Sequence, residues 1–360
     1  MTPYLKTLPL LLMLAACGDG QPFFNDEDEA DLEDGEVADG VVPVEEIEAR
    51  DGINFETSGG LPPGTADPTA DGSIIRFEPR DGEGAGLITD VEYVATNDTF
   101  RVDNIGFDGA NVYQRGVDVD QLGGYAVYEA DVVIEDSLTG DPISQITPYR
   151  VIYGASKVEV DGQPRTSFAL VRTGGYSDHG FGGWIYQRRE GVTLPTTGQA
   201  GFNGTYAGMR TFTNQSGMQL TEGDIAIAID FRDFNSNAAV SGTLNNRQFF
   251  TITGDQITLN GPGQPIAPPV QFVIQEGGTS ITTNGEIVGQ LNNTVVIDGT
   301  AQLYEQGTYN GVIAGDLTDG SEDSVGSEIT GIIVMESTDP NLDGVTVRES
   351  GGFIASRKPN

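Results

Sequence analysis

Phe202-Asn203-Gly204-Thr205-Tyr206-Ala207-Gly208 returns later in the chain as Tyr309-Asn310-Gly311-Val312-Ile313-Ala314-Gly315. The two heptapeptides agree at five of seven positions when the aromatic start counts as equivalent. Aromatic and β-branched residues favour strands, and glycines inside a strand mark bends or close backbone approach, as at the corners of a barrel. There is no third copy, so the echo does not make a solenoid. It predicts two geometrically similar strands in one barrel.

Working outward, the same texture continues on both sides. Tyr125 to Ile134, Ser167 to Thr173, Trp184 to Arg188, Asp224 to Phe231, Thr294 to Tyr304 and Ile329 to Met335 read as strands, from period-two patterning and β-branched or aromatic content. Asp71-Gly72, Asp81-Gly82, Asp108-Gly109, Asp161-Gly162 and Asp343-Gly344 supply the positive φ that tight turns require. No amphipathic helix longer than two turns is found. Closely spaced strands with turn signals predict an all-β protein, a sandwich or barrel. Leu194-Pro195-Thr196-Thr197-Gly198 interrupts the pattern and suggests a boundary. Residues 52–193 then form an N-terminal β-rich domain, its first twenty residues loop because of Pro62, Pro63 and Pro68. Residues 194–357 offer eight or nine strands, the number that suits a small antiparallel barrel of eight.

The N-terminus fixes the expected compartment. Lys6 precedes a short apolar run from Leu8 to Leu14, then Leu14-Ala15-Ala16-Cys17-Gly18. Such a run is too short to span a bilayer and has the order of a secretory signal peptide. Leu-Ala-Ala-Cys is similar to a bacterial lipobox, so residues 1–16 are expected to be removed and Cys17 acylated, with palmitate among its chains. Cys17 is the one cysteine of the chain, which rules out an intramolecular disulfide. Between positions 19 and 51 stand 14 acidic residues against a single basic one, Arg50. A segment this charged and this poor in apolar residues cannot offset the entropy of folding. Residues 17–51 are expected to be an acidic, disordered tether.

The formal net charge of −36 disfavours nucleic acid and anionic lipid surfaces as partners. Contact with the membrane is therefore expected through the lipid anchor alone.

Few residues carry chemistry. The one histidine, His179, sits in Tyr176-Ser177-Asp178-His179-Gly180-Phe181-Gly182-Gly183-Trp184. Ser177 and Asp178 are its chain neighbours, poor geometry for a triad whose members must converge in space, so a hairpin loop explains it better. A single histidine with no second cysteine leaves zinc, soft metals and haem unsupported. Asp339-Pro340-Asn341-Leu342-Asp343-Gly344 begins like a calcium loop, but Ser350 occupies the position of the closing glutamate and a hairpin fits better. No metal, cofactor or catalytic residue is assigned. Trp184, with Phe181/Tyr186 and Phe249/Phe250, reads as core filler before sugar platform. Arg188-Arg189 and Arg357-Lys358 read as solvated basic spots.

Leu194 to Gly208, opening the C-terminal part, resembles the first barrel strand of transferrin-binding protein B and its relatives, bacterial surface lipoproteins with factor H-binding protein as a distant cousin. Tyr309 to Gly315 followed by Val325-Gly326-Ser327-Glu328-Ile329-Thr330-Gly331-Ile332-Ile333 resembles that family's closing strands. The resemblance covers roughly residues 194–357. The looser Asp319-Gly320-Ser321-Glu322-Asp323 loop departs from the family's acidic-glycine turn, and the chain is short for two lobes. The resemblance implies one lobe, a β "handle" followed by one barrel. It also implies a non-catalytic binding protein that captures an extracellular protein or solute through loops. Asp178, His179, Trp184, Gln264, Asp319, Glu322 and Asp323 lie in or beside the candidate loops. The expected location is the outer membrane, facing the cell surface or alternatively the periplasm. A structural envelope lipoprotein and a secreted carboxylate-dependent hydrolase are the rival readings.

Overall fold

The computed structural model describes residues 60–102, 105, 112–130, 133–135, 138–144, 148–174, 178–213, 215–231, 239–258, 267–274, 281–297, 299–318, 326–338 and 344–357. Cys17, the tether, Gln264, Asp319, Glu322, Asp323 and the calcium-like stretch 339–343 lie outside them. The described residues contain strands and turns and no helix, in keeping with the all-β expectation.

The N-terminal half makes a curled, nine-stranded half-barrel. Its strands are β1 (Ile74–Phe77), β2 (Val91–Val94), β3 (Thr99–Val102), β4 (Val112–Arg115), β5 (Gln121–Leu122) and β6 (Tyr125–Ala130). After a separate hairpin, β7 (Val133–Glu135) and β8 (Pro142–Ser144), comes β9 (Tyr149–Ala155). A second hairpin, β10 (Glu159–Val160) and β11 (Gln163–Pro164), precedes β12 (Thr166–Thr173) and β13 (Gly182–Arg188). The sheet runs β1-β13-β12-β9-β6-β4-β3-β2, with β5 on β6. In the β10–β11 turn Asp161 and Gly162 both have positive φ, 53° and 75°, which is the two-residue turn that Asp-Gly encodes.

A short strand, β14 (Val192–Thr193), leads into β15 (Gln199–Phe212), β16 (Gln215–Asp230), β17 (Ala239–Thr251), β18 (Gln256–Ile257), β19 (Val270–Val273), β20 (Glu286–Ile297), β21 (Thr300–Asp316), β22 (Glu328–Thr338) and β23 (Thr346–Arg357). The pairing β21–β22 closes the ring β21-β20-β19-β17-β16-β15-β23-β22. Every contact around this ring is antiparallel, and the expected eight-stranded barrel is what forms. The echoed heptapeptides fall on β15 and β21, strands of one barrel as read.

Two strand readings need correction. Thr294 to Tyr304 is not one strand but the tip of the β20–β21 hairpin, where Ile297 pairs with Thr300 and Gly299 has a φ of 77°. Tyr125 to Ile134 divides into β6 and β7, which belong to different sheets.

Burial explains why alternation fails in the central strands. Phe202, Tyr206, Ile313, Ile333 and Phe353 point into the barrel, with Ile227, Leu244 and Leu291 from the far wall. Their neighbours Ala207, Met209, Val312, Ile332 and Val334 point outward, into a second cluster with Tyr125, Val127, Ile152, Phe168, Leu170 and Trp184 of the half-barrel. A strand buried on both faces reads as a continuous apolar run, as in Ile329 to Met335. The concave side of the half-barrel holds a third cluster around Phe100, Tyr113, Tyr128, Val151 and Ile185.

The two sheets are joined by polar contacts as well. The Tyr125 hydroxyl donates to the Thr205 carbonyl at 2.8 Å and accepts the Ile354 amide at 2.8 Å. Thr205 and Ile354 are register partners on β15 and β23, so a side chain of one sheet enters the ladder of the other. Arg76 pairs with Glu286 at 2.6 Å, both side chains buried. Arg188 is fully buried and donates to the carbonyls of Thr69, Gly72, Asn284 and Ile313. It is not the solvated spot its sequence suggested. Burial lowers its basicity, with Glu286 acting the other way, to a pKa of about 10.

Candidate functional site

The loop after β1 is stiffened by its own carboxylates. Asp81 Oδ1 accepts the amides of Glu83 (2.8 Å) and Ala85 (3.0 Å), and Glu78 Oε2 accepts that of Gly86 (3.3 Å). This loop faces the outer wall of the barrel across a cleft of about 270 Å³. Trp184 of β13 forms one side. Thr308 and Asn310 of β21, Val334 of β22 and Arg348 of β23 form the other. The barrel residues meet there because strand period two puts 308 and 310 on one face, and register sets Thr308 opposite Val334.

The charges around the cleft are largely committed. Arg348 Nε donates to Glu336 at 2.9 Å, and its Nη1 lies 3.5 Å from Asp81. Arg172 of β12 pairs with Glu78, both buried. Two neutral polar atoms are not committed. Trp184 Nε1 and Asn310 Oδ1 are buried without a hydrogen-bond partner, on side chains each 2% exposed. A buried polar group left unpaired costs about 1–3 kcal/mol, so a donor and an acceptor together describe a place for a polar ligand to stand. Trp184 also stacks on Tyr186, ring centroids 5.8 Å apart.

His179 occupies the connection between β12 and β13 and is buried. Its Nε2 lies 3.2 Å from Thr213 Oγ1 and 3.4 Å from Thr346 Oγ1, at the ends of β15 and β23. It fastens a half-barrel loop to the barrel rather than facing a nucleophile. Asp178 beside it is half-buried with a φ of 42°. Burial first, and then the Arg348 guanidinium, lower the His179 pKa, against the pull of Asp178 and Glu336. A histidine that resists protonation when folded loses stability for the fold as pH falls below its ordinary value of about 6.5. Chemical denaturation between pH 7 and 5 is expected to show wild type losing ground relative to His179→Gln. A difference between the two that stays constant with pH would remove this role.

Of the residues singled out in the sequence, the structure puts Trp184 in the cleft, while His179 feels the Arg348 charge but packs against Thr213 and Thr346. Asn310, Thr308 and Arg348 were missed. Asn310 lies inside the echoed heptapeptide, a signal that was visible but was read for its glycines. Phe249 and Tyr186 are buried and Phe181 and Phe250 pack against core clusters, as core filler should. Among the described residues no group of three or more His, Cys, Asp or Glu could hold a metal ion.

No protein-family model matches the chain. No curated protein matches it either. Among solved structures, one similar to it is a tryptophan-to-alanine mutant of the vaccine antigen Transferrin Binding Protein B from Haemophilus parasuis Hp5. The identity is 14% and the TM-score 0.30, over 63% of this chain and 41% of that one. A second is intact Ap-TbpB with N and C lobes, at 12% identity and a TM-score of 0.31, over 76% of this chain and 47% of that one. The chain thus spans less than half the length of either structure.

Proposed function

We propose that this chain is a non-catalytic binding protein of a Gram-negative-type outer membrane, anchored through acylated Cys17 and presenting its folded part at the cell surface. The observation that carries the reading is the junction cleft, where Trp184 and Asn310 keep a donor and an acceptor uncommitted between walls fixed by ion pairs. Rigid walls with unspent polar groups suit capture, because little is lost in ordering the site when a ligand arrives. The carboxylates nearby support binding over turnover. Glu78 is tied to Arg172, and Asp81 and Glu336 to Arg348, whereas acid–base catalysis needs a carboxyl free to exchange its proton. The ligand is an extracellular protein or solute.

Three measurements test this. Cys17→Ala is expected to move the protein from the membrane to the soluble fraction. A protease too large to cross the outer membrane is expected to remove the folded part from intact cells while a periplasmic marker survives. Protection of the folded part would sink the surface reading. For the cleft, Trp184 is the only tryptophan, so its emission reports occupancy directly. A solute panel that leaves that emission unchanged at saturation would argue against capture there.

A further inference from the structure

Arg189 is unlike the buried arginines of the two sheets. Arg76, Arg172, Arg247 and Arg348 each lie beside a carboxylate, and Arg188 is surrounded by carbonyls. Among the described residues the Arg189 guanidinium has no such partner, and its Nε is shielded from solvent without a hydrogen bond. In a chain of net charge −36, a guanidinium left without a carboxylate calls for an explanation.

Its surroundings supply one. Arg188 and Arg189 lie on opposite faces of the β13 end, so Arg188 meets the barrel and Arg189 meets the concave side of the half-barrel. There it lines a cavity of about 670 Å³. Register defines the floor: Ile75 is opposite Gln187, Gln187 opposite Ser167, and Ser167 opposite Ala155. Gln187 Nε2 donates to Ser167 Oγ at 2.9 Å. The wall is aromatic. Tyr93 and Tyr153 have ring centroids 5.5 Å apart, and Phe100 lies 5.3 Å from Tyr153. Burial pushes the Tyr153 hydroxyl above its ordinary range while the Arg189 charge pulls it back, and both residues line the cavity. Ile75 on β1 and Tyr93 on β2 come from the two edges of the sheet, so the cavity fills the gap where the half-barrel stops short of closing.

We propose that this cavity binds a planar aromatic carboxylate, with the ring against Tyr93 and Tyr153 and the carboxylate on Arg189. The volume falls in the range of about 300–1,000 Å³ that small-molecule sites occupy. Aromatic walls with one convergent cation favour a flat ring bearing a single negative charge. Asp90, Glu92 and Glu159 also line the cavity, and their charge opposes a ligand of two or more negative charges such as a phosphate ester.

The site is independent of the junction cleft, and its test uses the full chain carrying Cys17→Ala for solubility. Calorimetry with 4-hydroxybenzoate and indole-3-acetate is expected to show saturable binding. Cyclohexanecarboxylate, which lacks the ring electrons, and benzyl alcohol, which lacks the charge, are expected to bind at least about tenfold more weakly, as is inorganic phosphate. Arg189→Met is expected to weaken both aromatic acids at least about tenfold without changing the melting temperature. Should that variant not fold, proton contacts by magnetic resonance between the bound ring and Tyr93 or Tyr153 in the wild-type protein decide the matter, and their absence overturns the proposal. It is also overturned if neither acid binds below about 1 mM, if Arg189→Met binds them as wild type does, or if phosphate binds more tightly.

Discussion

Replacing Arg247 by methionine is expected to lower the stability of the protein by about 3–5 kcal/mol, the usual cost of leaving a buried charge without its partner. Arg247 of β17 is fully enclosed at one end of the barrel interior. Its Nη1 donates to Glu305 at 3.0 Å and to Glu349 at 3.2 Å, while Nη2 makes a further short contact with Glu305. Asn293 also donates to Glu305, and the Tyr206 hydroxyl donates to Glu349 at 3.0 Å. Burial opposes the charge on Glu305, yet Arg247 and its hydrogen bonds hold that carboxyl below its ordinary range. Glu349 is pushed above its range, by burial and then against the pull of Arg247 by the charge on Glu305.

The sign with pH follows. Without the guanidinium both carboxyls would titrate above their ordinary value when folded, so the folded state would bind more protons than the unfolded one. Stability of the variant should then fall as pH rises through the region above about 4.3. Urea denaturation is expected to show the deficit against wild type shrinking as pH is lowered from 7 to 5, and Glu305→Gln added to Arg247→Met is expected to recover part of it. A loss below about 1 kcal/mol at pH 7 would mean that the cluster relaxes or admits water, and that it does not hold the barrel end shut.

Gly352→Ala comes next in expected size. Gly351 and Gly352 stand side by side on β23 with their missing side chains on opposite faces. A Cβ at Gly351 would lie 2.3 Å from the Tyr206 ring inside the barrel, and one at Gly352 only 2.1 Å from the Phe168 ring of the half-barrel. Phe168 cannot easily move away, since Tyr125 packs edge-on against it with centroids 4.9 Å apart. Overpacking of this kind costs about 1–3 kcal/mol. The clash lies between the sheets, so Phe168→Leu in the same chain should recover stability beyond the sum of the single changes. Strictly additive effects in that double-mutant cycle would show that the two residues are not in conflict.

How much of this could be read in the sequence depended on whether a signal was local. The Asp161-Gly162 turn and the glycine-bounded strands β15 and β21 were legible because φ and strand period act over a few residues. The turn at Gly299 was equally local but sat between Val295-Val296-Ile297 and Leu303-Tyr304, where strand-favouring residues on either side masked it. Strands buried on both faces lost the alternation that would have shown which side met the barrel core. For the same reason Arg188 and Arg189 looked alike, although one is locked among carbonyls and the other lines a cavity. Trp184 was named for its rarity. Asn310 and Arg348 join it only because β13, β21 and β23, distant along the chain, converge at the junction, and a single sequence read by itself does not show such a convergence.

The Tyr125 hydroxyl gives the molecule a property that neither sheet has alone. It takes the place of a backbone partner between Thr205 and Ile354, so the cylinder's own stitching is finished by a residue of the neighbouring sheet. The two halves are therefore not interchangeable parts. A graft that kept the cylinder but exchanged the half-barrel would open a seam unless the newcomer also carried a phenol at that point, and this restricts how far either half can diversify without the other.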